Sequence, residues 1–213
     1  TQEEKELGCL LIDFGGLTTG LAVYSEGSIR FSKELQIGSD FITRDISHNL
    51  RTSLSTAQSI KEKYGVAMGS LLKDDSKVDY TAVDGRTVRS ASRRQIVEII
   101  QPRLDQIFVA IEQELRNANL SDTVVPGGII ITGGGSRLEG IVQATEQALS
   151  SSARLGLPQD VTGPEEIITN QTYATAIGLL RADVMASPGW VPHKPSRGNS
   201  LWSRIKTWAD DVF

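Results

Sequence analysis

Between Leu7 and Ile37 the apolar residues come as short runs and alternations. CLLID, GLAVY and IRFSKELQI are separated by turn residues, so this stretch predicts strand, turn, strand, turn, strand, with the first strand ending at Asp13. The period then lengthens to that of a helix. One helix is expected over about Ser39 to Leu50. A second opens with Ser55 and Gln58, a capping-box pair, and stops at Gly65. VDYTAVDGRTVRS returns to alternation around Asp84-Gly85, a hairpin signal. Ser92 and Gln95 form another capping box at the head of a long helix whose face carries Ile96, Ile100, Leu104, Ile107, Ile111 and Leu115. Pro102 falls inside that helix and predicts a kink or a break. From Gly127 the pattern resets. GGIIITGGGSRLEGI reads as a short buried strand, a glycine turn and a helix through about Leu149, and TYATAIGLLRADV as a second helix of small residues suited to close packing. Residues 187–200 hold three prolines without a period and read as a linker. No internal repeat is present.

Composition narrows the class. A chain of 213 residues, 39% hydrophobic, can bury a real core. Its net charge of −4 argues against non-specific nucleic-acid binding. Cys9 is the lone cysteine, which excludes a disulfide framework and favours a reducing compartment. No run approaches the roughly 20 apolar residues that span a bilayer, and no signal peptide is visible. The chain opens on Thr1 rather than Met, as a fragment or a processed product would.

Candidate chemistry lies in two glycine turns. IDFGGLTTG puts Asp13 at a strand end, then Gly15, Gly16, Thr18 and Thr19, a set of backbone N–H groups and hydroxyls suited to phosphate oxygens. Asp13 is placed to hold Mg²⁺ through water. ITGGGSRLEG places Gly133, Gly134 and Gly135 between a strand and a helix N-terminus, where backbone donors and the helix dipole favour an anion. It lacks the lysine of a Walker loop and is no Rossmann fingerprint.

Taken in this order, the two turns resemble the second phosphate loop and the adenosine loop of the actin-like ATPase superfamily. IKEKYG and YATAIGLL are similar to two further elements, the helix touching the nucleotide's sugar and the small-residue helix at the interdomain hinge. Within the superfamily, IGSDFITRDISHNLRTSLSTAQSIKEKYG resembles the characteristic segment of the FtsA family of bacterial cell-division proteins. The resemblance covers nearly the whole chain but only the second half of such a protein, without the first phosphate loop. It implies an α/β fold: an actin-like (ribonuclease-H-like) second domain with an inserted α+β subdomain and a C-terminal amphipathic helix. Residues 7–38 and 128–186 would form the nucleotide-loop subdomain and 39–127 the insert, followed by a linker at 187–200 and a membrane-targeting helix at 201–213.

The resemblance also implies ATP and Mg²⁺ as ligands. Asp13, Gly15, Gly16, Thr18 and Thr19 match the phosphate loop, and Lys61 matches a lysine near the ribose. Gln58 stands where the family usually has a glutamate that bonds ribose hydroxyls. Gly133, Gly134 and Gly135 match the adenosine loop, and Arg137 aligns with an arginine that stacks on adenine in the chaperone branch. Leu17 replaces a third glycine, and Gly20 replaces an acid that commonly follows the threonine pair. Both departures speak against fast hydrolysis. The insert would receive the C-terminal tail of FtsZ, with Arg93 and Arg94 of the basic run as candidate contacts. Other partners implied are a second copy in a protofilament and further divisome proteins.

The closing LWSRIKTWADDVF fits the same picture. On a helix, Leu201, Trp202, Ile205, Trp208, Ala209, Val212 and Phe213 fill one arc of roughly 140°, with Arg204 and Lys206 on its borders and the remaining polar residues outside. From Ser187 onward the formal charge is +2 (four basic, two acidic), against −6 for the remainder, which suits an anionic leaflet. A single short helix is a marginal anchor, and polymerisation would add avidity. His48, His193 and Ser136 carry no metal or nucleophile pattern. The expectation is therefore an adaptor that binds ATP, polymerises and tethers FtsZ filaments to the cytoplasmic face of the membrane at the division site. The rival readings are an actin-fold ATPase or kinase fragment and an actin-like pilus-assembly component.

Overall fold

The computed structural model describes residues 1–120 and 126–186. A short helix, α1 (Gln2–Leu7), leads into three antiparallel strands, β1 (Cys9–Phe14), β2 (Thr19–Ser25) and β3 (Ser28–Leu35). Helices α2 (Ser39–Leu50) and α3 (Leu54–Tyr64) follow, then the hairpin β4 (Lys77–Thr81) and β5 (Val88–Ser92), then the long helix α4 (Arg93–Asn117). The chain returns through β6 (Ile129–Thr132), α5 (Ile141–Leu149), β7 (Ala153–Leu155), the one-turn α6 (Glu165–Ile168) and α7 (Ala174–Ala186). β6 joins β1 in parallel and β7 joins β6, giving one sheet in the order β3-β2-β1-β6-β7. The crossover that a parallel β1–β6 pair requires is made by α2 through α4. Residues 1–178 form one compact unit; Leu179–Ala186 complete α7 as the described part of a second.

The core explains why these segments fold as they do. Leu10, Ile12 and Phe14 alternate inward from β1, and all four residues of β6 are buried, as suits a strand enclosed on both faces. Helix α4 buries Ile96, Val97, Ile100, Leu104, Ile107, Phe108 and Ile111 at helical spacing. Each such side chain contributes about 1.5–3 kcal/mol on leaving water. One continuous apolar cluster joins these residues to Ile42 and Ile46 of α2, Ile60 of α3, and Val78, Tyr80 and Ala91 of the hairpin. Across it, Arg103 of α4 clasps Asp45 of α2 with two hydrogen bonds, at 2.6 and 2.9 Å.

The strands β1 to β3, the bounds of α2, the Asp84-Gly85 hairpin and the Ser92–Gln95 capping box all form as the sequence predicts. Four features differ. Ser53, not Ser55, caps α3, its hydroxyl accepting from the Thr56 N–H at 3.1 Å. Thr52 is pinned in extended form by its bridge to Ala82 and its bond to the Thr81 carbonyl, so the helix starts directly after Ser53. Helix α4 runs unbroken through Pro102, its buried stripe outweighing one missing hydrogen bond. Gly133–Gly135 do not open an α-helix. They enter a 3₁₀ turn at Gly134–Arg137, and α5 begins only at Ile141. Glu139 is held extended by its bridge to Val66 and its carbonyl's bond from the Ala67 N–H, so the helix waits for Gly140. Finally, α1, β7 and α6 form where the sequence reading had no element. The expected linker (187–200) and amphipathic helix (201–213), with Leu201, Trp202, Ile205, Trp208, Val212 and Phe213, lie outside the described residues. Among the described residues no helix is long and apolar enough to cross a membrane.

Candidate functional site

Both glycine turns follow the C-terminal ends of the parallel neighbours β1 and β6, the end at which ligands collect in open α/β sheets. In the first turn the Gly15 N–H bonds the carbonyls of Asp13 (3.1 Å) and Thr18 (3.0 Å). The carbonyls of Gly15 and Gly16 accept from the N–H groups of Ser39 (3.0 Å) and Asp40 (2.8 Å), in the first turn of α2. That approach requires Gly38, where a Cβ would stand 2.4 Å from the Gly16 oxygen. Among the described residues the backbone N–H groups of Gly16, Leu17 and Thr18 bond no protein acceptor, which leaves three successive donors for an anion. Leu17 is exposed. Thr19 is fully buried and its hydroxyl donates to the Ile37 carbonyl at 2.7 Å, so it anchors the turn from behind.

In the second turn the three glycines differ. Gly133 has φ +83°, and a Cβ there would fall 2.4 Å from an Asp13 carboxylate oxygen and 2.7 Å from the Phe14 carbonyl. A Cβ at Gly135 would strike the Phe14 ring at 2.8 Å. Gly134 is free of both constraints: a Cβ there meets nothing nearer than Thr172 at 3.9 Å. Asp13 lies beside this turn, paired in register with Thr132 and accepting a hydrogen bond from the Thr175 hydroxyl at 2.6 Å.

The third wall is α3, facing α2. Lys61 is buried and its ammonium donates to the Ser39 carbonyl at 3.0 Å. Burial holds its pKa below the ordinary lysine value, partly offset by the nearby carboxylates of Asp40 and Glu62. Gln58 accepts from the Thr43 hydroxyl at 2.7 Å and donates to the Glu62 carboxylate at 2.5 Å.

Together these walls enclose a cavity of about 340 Å³, lined by Gly16, Asp40, Gln58, Lys61, Glu62, Gly134, Gly135 and Arg137, with Ser39, Ile42, Leu138 and Thr172. Six of the sequence-derived candidates therefore meet: Gly16, Gln58, Lys61, Gly134, Gly135 and Arg137. Asp13, Gly15 and Thr18 line a second hollow of about 390 Å³ with Gly20, Lys33 and Glu34, while Thr19 and Gly133 line neither. Around the cavity stand the Gly16 end of the first turn, the basic side chains of Lys61 and Arg137, the carboxylates of Asp40 and Glu62, and a glycine, Gly134, whose missing side chain leaves room. Sequence reasoning missed Asp40 and Glu62. Glu62 stands one helical turn from Gln58 on the same face, a spacing that would have revealed it. Among the described residues no three His, Cys, Asp or Glu side chains cluster to hold a metal.

The basic run lies on a different part of the molecule. Arg93 is directed inward, its guanidinium 3.2 Å from Asp74 and 3.7 Å from Glu139. Arg94 is exposed, with its guanidinium 3.8 Å from Asp75.

Comparison with known proteins shows the family and the fold. The family described as "Cell division protein FtsA" matches residues 10–178. The chain is 38% identical over 180 residues to the cell division protein FtsA of Pseudomonas aeruginosa, covering 84% of this chain and 43% of that one. It is 34% identical over 219 residues to that of Neisseria meningitidis, covering 100% and 53%. The chain thus spans about half the length of the relatives it matches. The fold is actin-like. MreB5 of Spiroplasma citri bound to ADP superposes with a TM-score of 0.67 at 18% identity over 86% of this chain and 55% of that one. A PilM-PilN type IV pilus biogenesis complex gives 0.64 at 19% identity over 84% and 47%.

Proposed function

The chain belongs to the FtsA family of cell division proteins, and from that premise we propose that it binds ATP as one half of a polymerising adaptor that ties FtsZ filaments to the cytoplasmic face of the membrane. The observation that carries the nucleotide reading is the single cavity in which Gly16, Lys61, Gly134, Gly135 and Arg137 converge. In this reading the free amides of the first turn receive phosphate oxygens. Lys61 and its neighbours on α3 face the sugar, and the Gly134-Gly135 turn with Arg137 receives the base. Magnesium would be held chiefly by the phosphates and its own waters, with Asp13 acting through one of them. The reading is one of binding and assembly. The other half of the relatives' length would complete the cleft, so affinity in this chain is expected to be weak.

Arg94, with Arg93 behind it, is the proposed contact for the acidic partner FtsZ. Self-assembly and contacts with other divisome proteins would use the remaining surface. The segment from Leu201 to Phe213 would meet anionic lipid through Trp202, Ile205, Trp208, Val212 and Phe213. Titration calorimetry with Mg-ATP tests the nucleotide reading: the chain should bind, and Lys61→Met should weaken binding about tenfold, as loss of a charge-assisted contact does. Equal affinity in both would sink it. Co-sedimentation with anionic liposomes tests the tether, since Trp202→Glu with Trp208→Glu should leave the protein in the supernatant.

A further inference from the structure

Residues 72–76, between the 3₁₀ turn Gly69–Leu71 and β4, form no helix or strand and carry two adjacent exposed acids across the head of α4. Asp74 meets the Arg93 guanidinium at 3.2 Å, and Asp75 lies 3.8 Å from that of Arg94. Asp75 also accepts from the Arg94 N–H at 2.8 Å, and the Arg93 N–H donates to the Ser76 carbonyl at 3.0 Å. Asp74 is held in place by the Ser76 N–H, which donates to it at 3.0 Å. Both carboxyls sit below the ordinary 3.8, Asp74 chiefly through Ser76 and Asp75 chiefly through the Arg94 amide, so both are charged at neutral pH. Helix α4 does not need this segment as a cap, because Ser92 and Gln95 already supply one. The clasp is also imperfect. The Arg93 guanidinium is shared between Asp74 and Glu139, 3.7 Å away, and its buried Nε has no hydrogen-bond partner. An unpaired buried donor costs free energy and exposed ion pairs return little, so a better-placed carboxylate can displace this one.

We propose that Asp74 and Asp75 are an internal stand-in for an acidic peptide: the segment 72–76 covers the Arg93–Arg94 face, and the peptide binds by displacing it. This rests on the reading of Arg94 as the contact for an acidic partner and gives that contact its regulation. The stand-in offers what such a peptide would bring, carboxylates on an irregular stretch of chain, directed at two guanidinium groups and at a backbone amide in the first turn of a long helix. Each pair is weak and solvent-exposed on at least one side, so the cover lowers affinity without closing the site.

The test is fluorescence anisotropy of a labelled peptide of the FtsZ C-terminal tail, at one fixed ionic strength. Asparagine keeps the shape and the acceptor oxygen of each acid and removes only its charge. Asp75→Asn should tighten binding about threefold, and Asp74→Asn with Asp75→Asn about fivefold, the scale of one and two exposed ion pairs released. Glu165→Gln with Glu166→Gln on α6 removes the same charge and should leave affinity within about 1.5-fold. Arg94→Ala should weaken binding, and in that background the gain from Asp75→Asn should vanish, whereas simple repulsion between the acids and the peptide would persist there. If Arg94→Ala weakens binding but neutralising the acids changes nothing, or the gain survives in Arg94→Ala, this inference is overturned and the partner reading stands. If Arg94→Ala binds as tightly as the unaltered chain, or none of these proteins binds the peptide, the partner reading fails and this inference with it.

Discussion

The turn after β1 and the turn after β6 stand at the same end of two neighbouring parallel strands, but different forces hold them. The first is gripped from outside, by N–H groups of Ser39 and Asp40 on the carbonyls of Gly15 and Gly16, and by the close approach of Gly38. The second is shaped from within, by Gly133 and Gly135 lying flat on Phe14. A turn held by backbone bonds tolerates a large exposed side chain at its tip, as Leu17 shows. A turn held by van der Waals fit excludes even a methyl group at two of its three glycines. Glycine content therefore does not say which glycine is required by the fold and which leaves open space; contact geometry does, and only Gly134 of the three leaves room for a side chain.

The largest expected effect tests the structural glycines. Gly133→Ala and Gly38→Ala should each cost about 3 kcal/mol or more in urea unfolding, from a forbidden φ in one case and backbone overlap in both. Gly134→Ala should stay within about 0.5 kcal/mol of the unaltered chain, because its Cβ meets only ordinary contacts. Its effect should fall on ATP affinity instead, since the methyl group occupies cavity space. If Gly134→Ala unfolds the protein as readily as Gly133→Ala, the distinction between the two glycines collapses.

Much of the fold was legible because it is written in local chemistry. The α4 stripe and its Ser92–Gln95 box, the Asp84-Gly85 hairpin and the bounds of α2 each depend on a few neighbouring residues. What escaped depends on distant ones. Ser53 caps α3 because Thr52 is pinned to the hairpin, and α5 starts late because Glu139 is bridged to Val66. Strand β7, three residues at a sheet edge, has no periodicity to read. Helix α1 was legible in principle, through the Thr1–Glu4 capping pair. At the site, the residue types of both turns were visible, but the inward-facing Thr19 follows from no motif, and Glu62 was legible only through its one-turn spacing from Gln58.

Lys61 sharpens the same comparison at intermediate scale, because its hydrogen bond braces the Ser39 end of α2 that grips the first turn and not the second turn. With its folded pKa lowered by burial, the native state binds fewer protons than the unfolded chain between that lowered value and the ordinary 10.5. The group therefore adds stability as pH rises through that window. Urea midpoints followed from neutral pH toward 10.5 should climb relative to those of Lys61→Met. Parallel curves for the two proteins would mean that the ammonium is effectively solvated.

The smallest effect comes from a third turn that serves as the contrast to both, since it closes on itself. Asp84 accepts from the Thr87 hydroxyl and from the N–H groups of Thr87 and Arg86, both at 2.9 Å, while Gly85 supplies φ +71°. The Thr87 hydroxyl and these two amides hold the Asp84 carboxyl down to about 2. A depressed carboxylate pKa contributes stability above the ordinary 3.8 and loses it as pH falls through about 2. Because the turn is fully exposed, the consequence is local. The amide resonances of Arg86 and Thr87 should titrate together with a midpoint near 2, while those of Gly15 and Ser136 stay still over the same range. A midpoint at the ordinary 3.8 would mean that the carboxylate is a bystander and that the Ala82–Thr87 backbone pair with Gly85 closes the hairpin unaided. Movement at Gly15 in step with Arg86 would instead tie the hairpin to the cleft, and the separation between self-closed and externally held turns would fail.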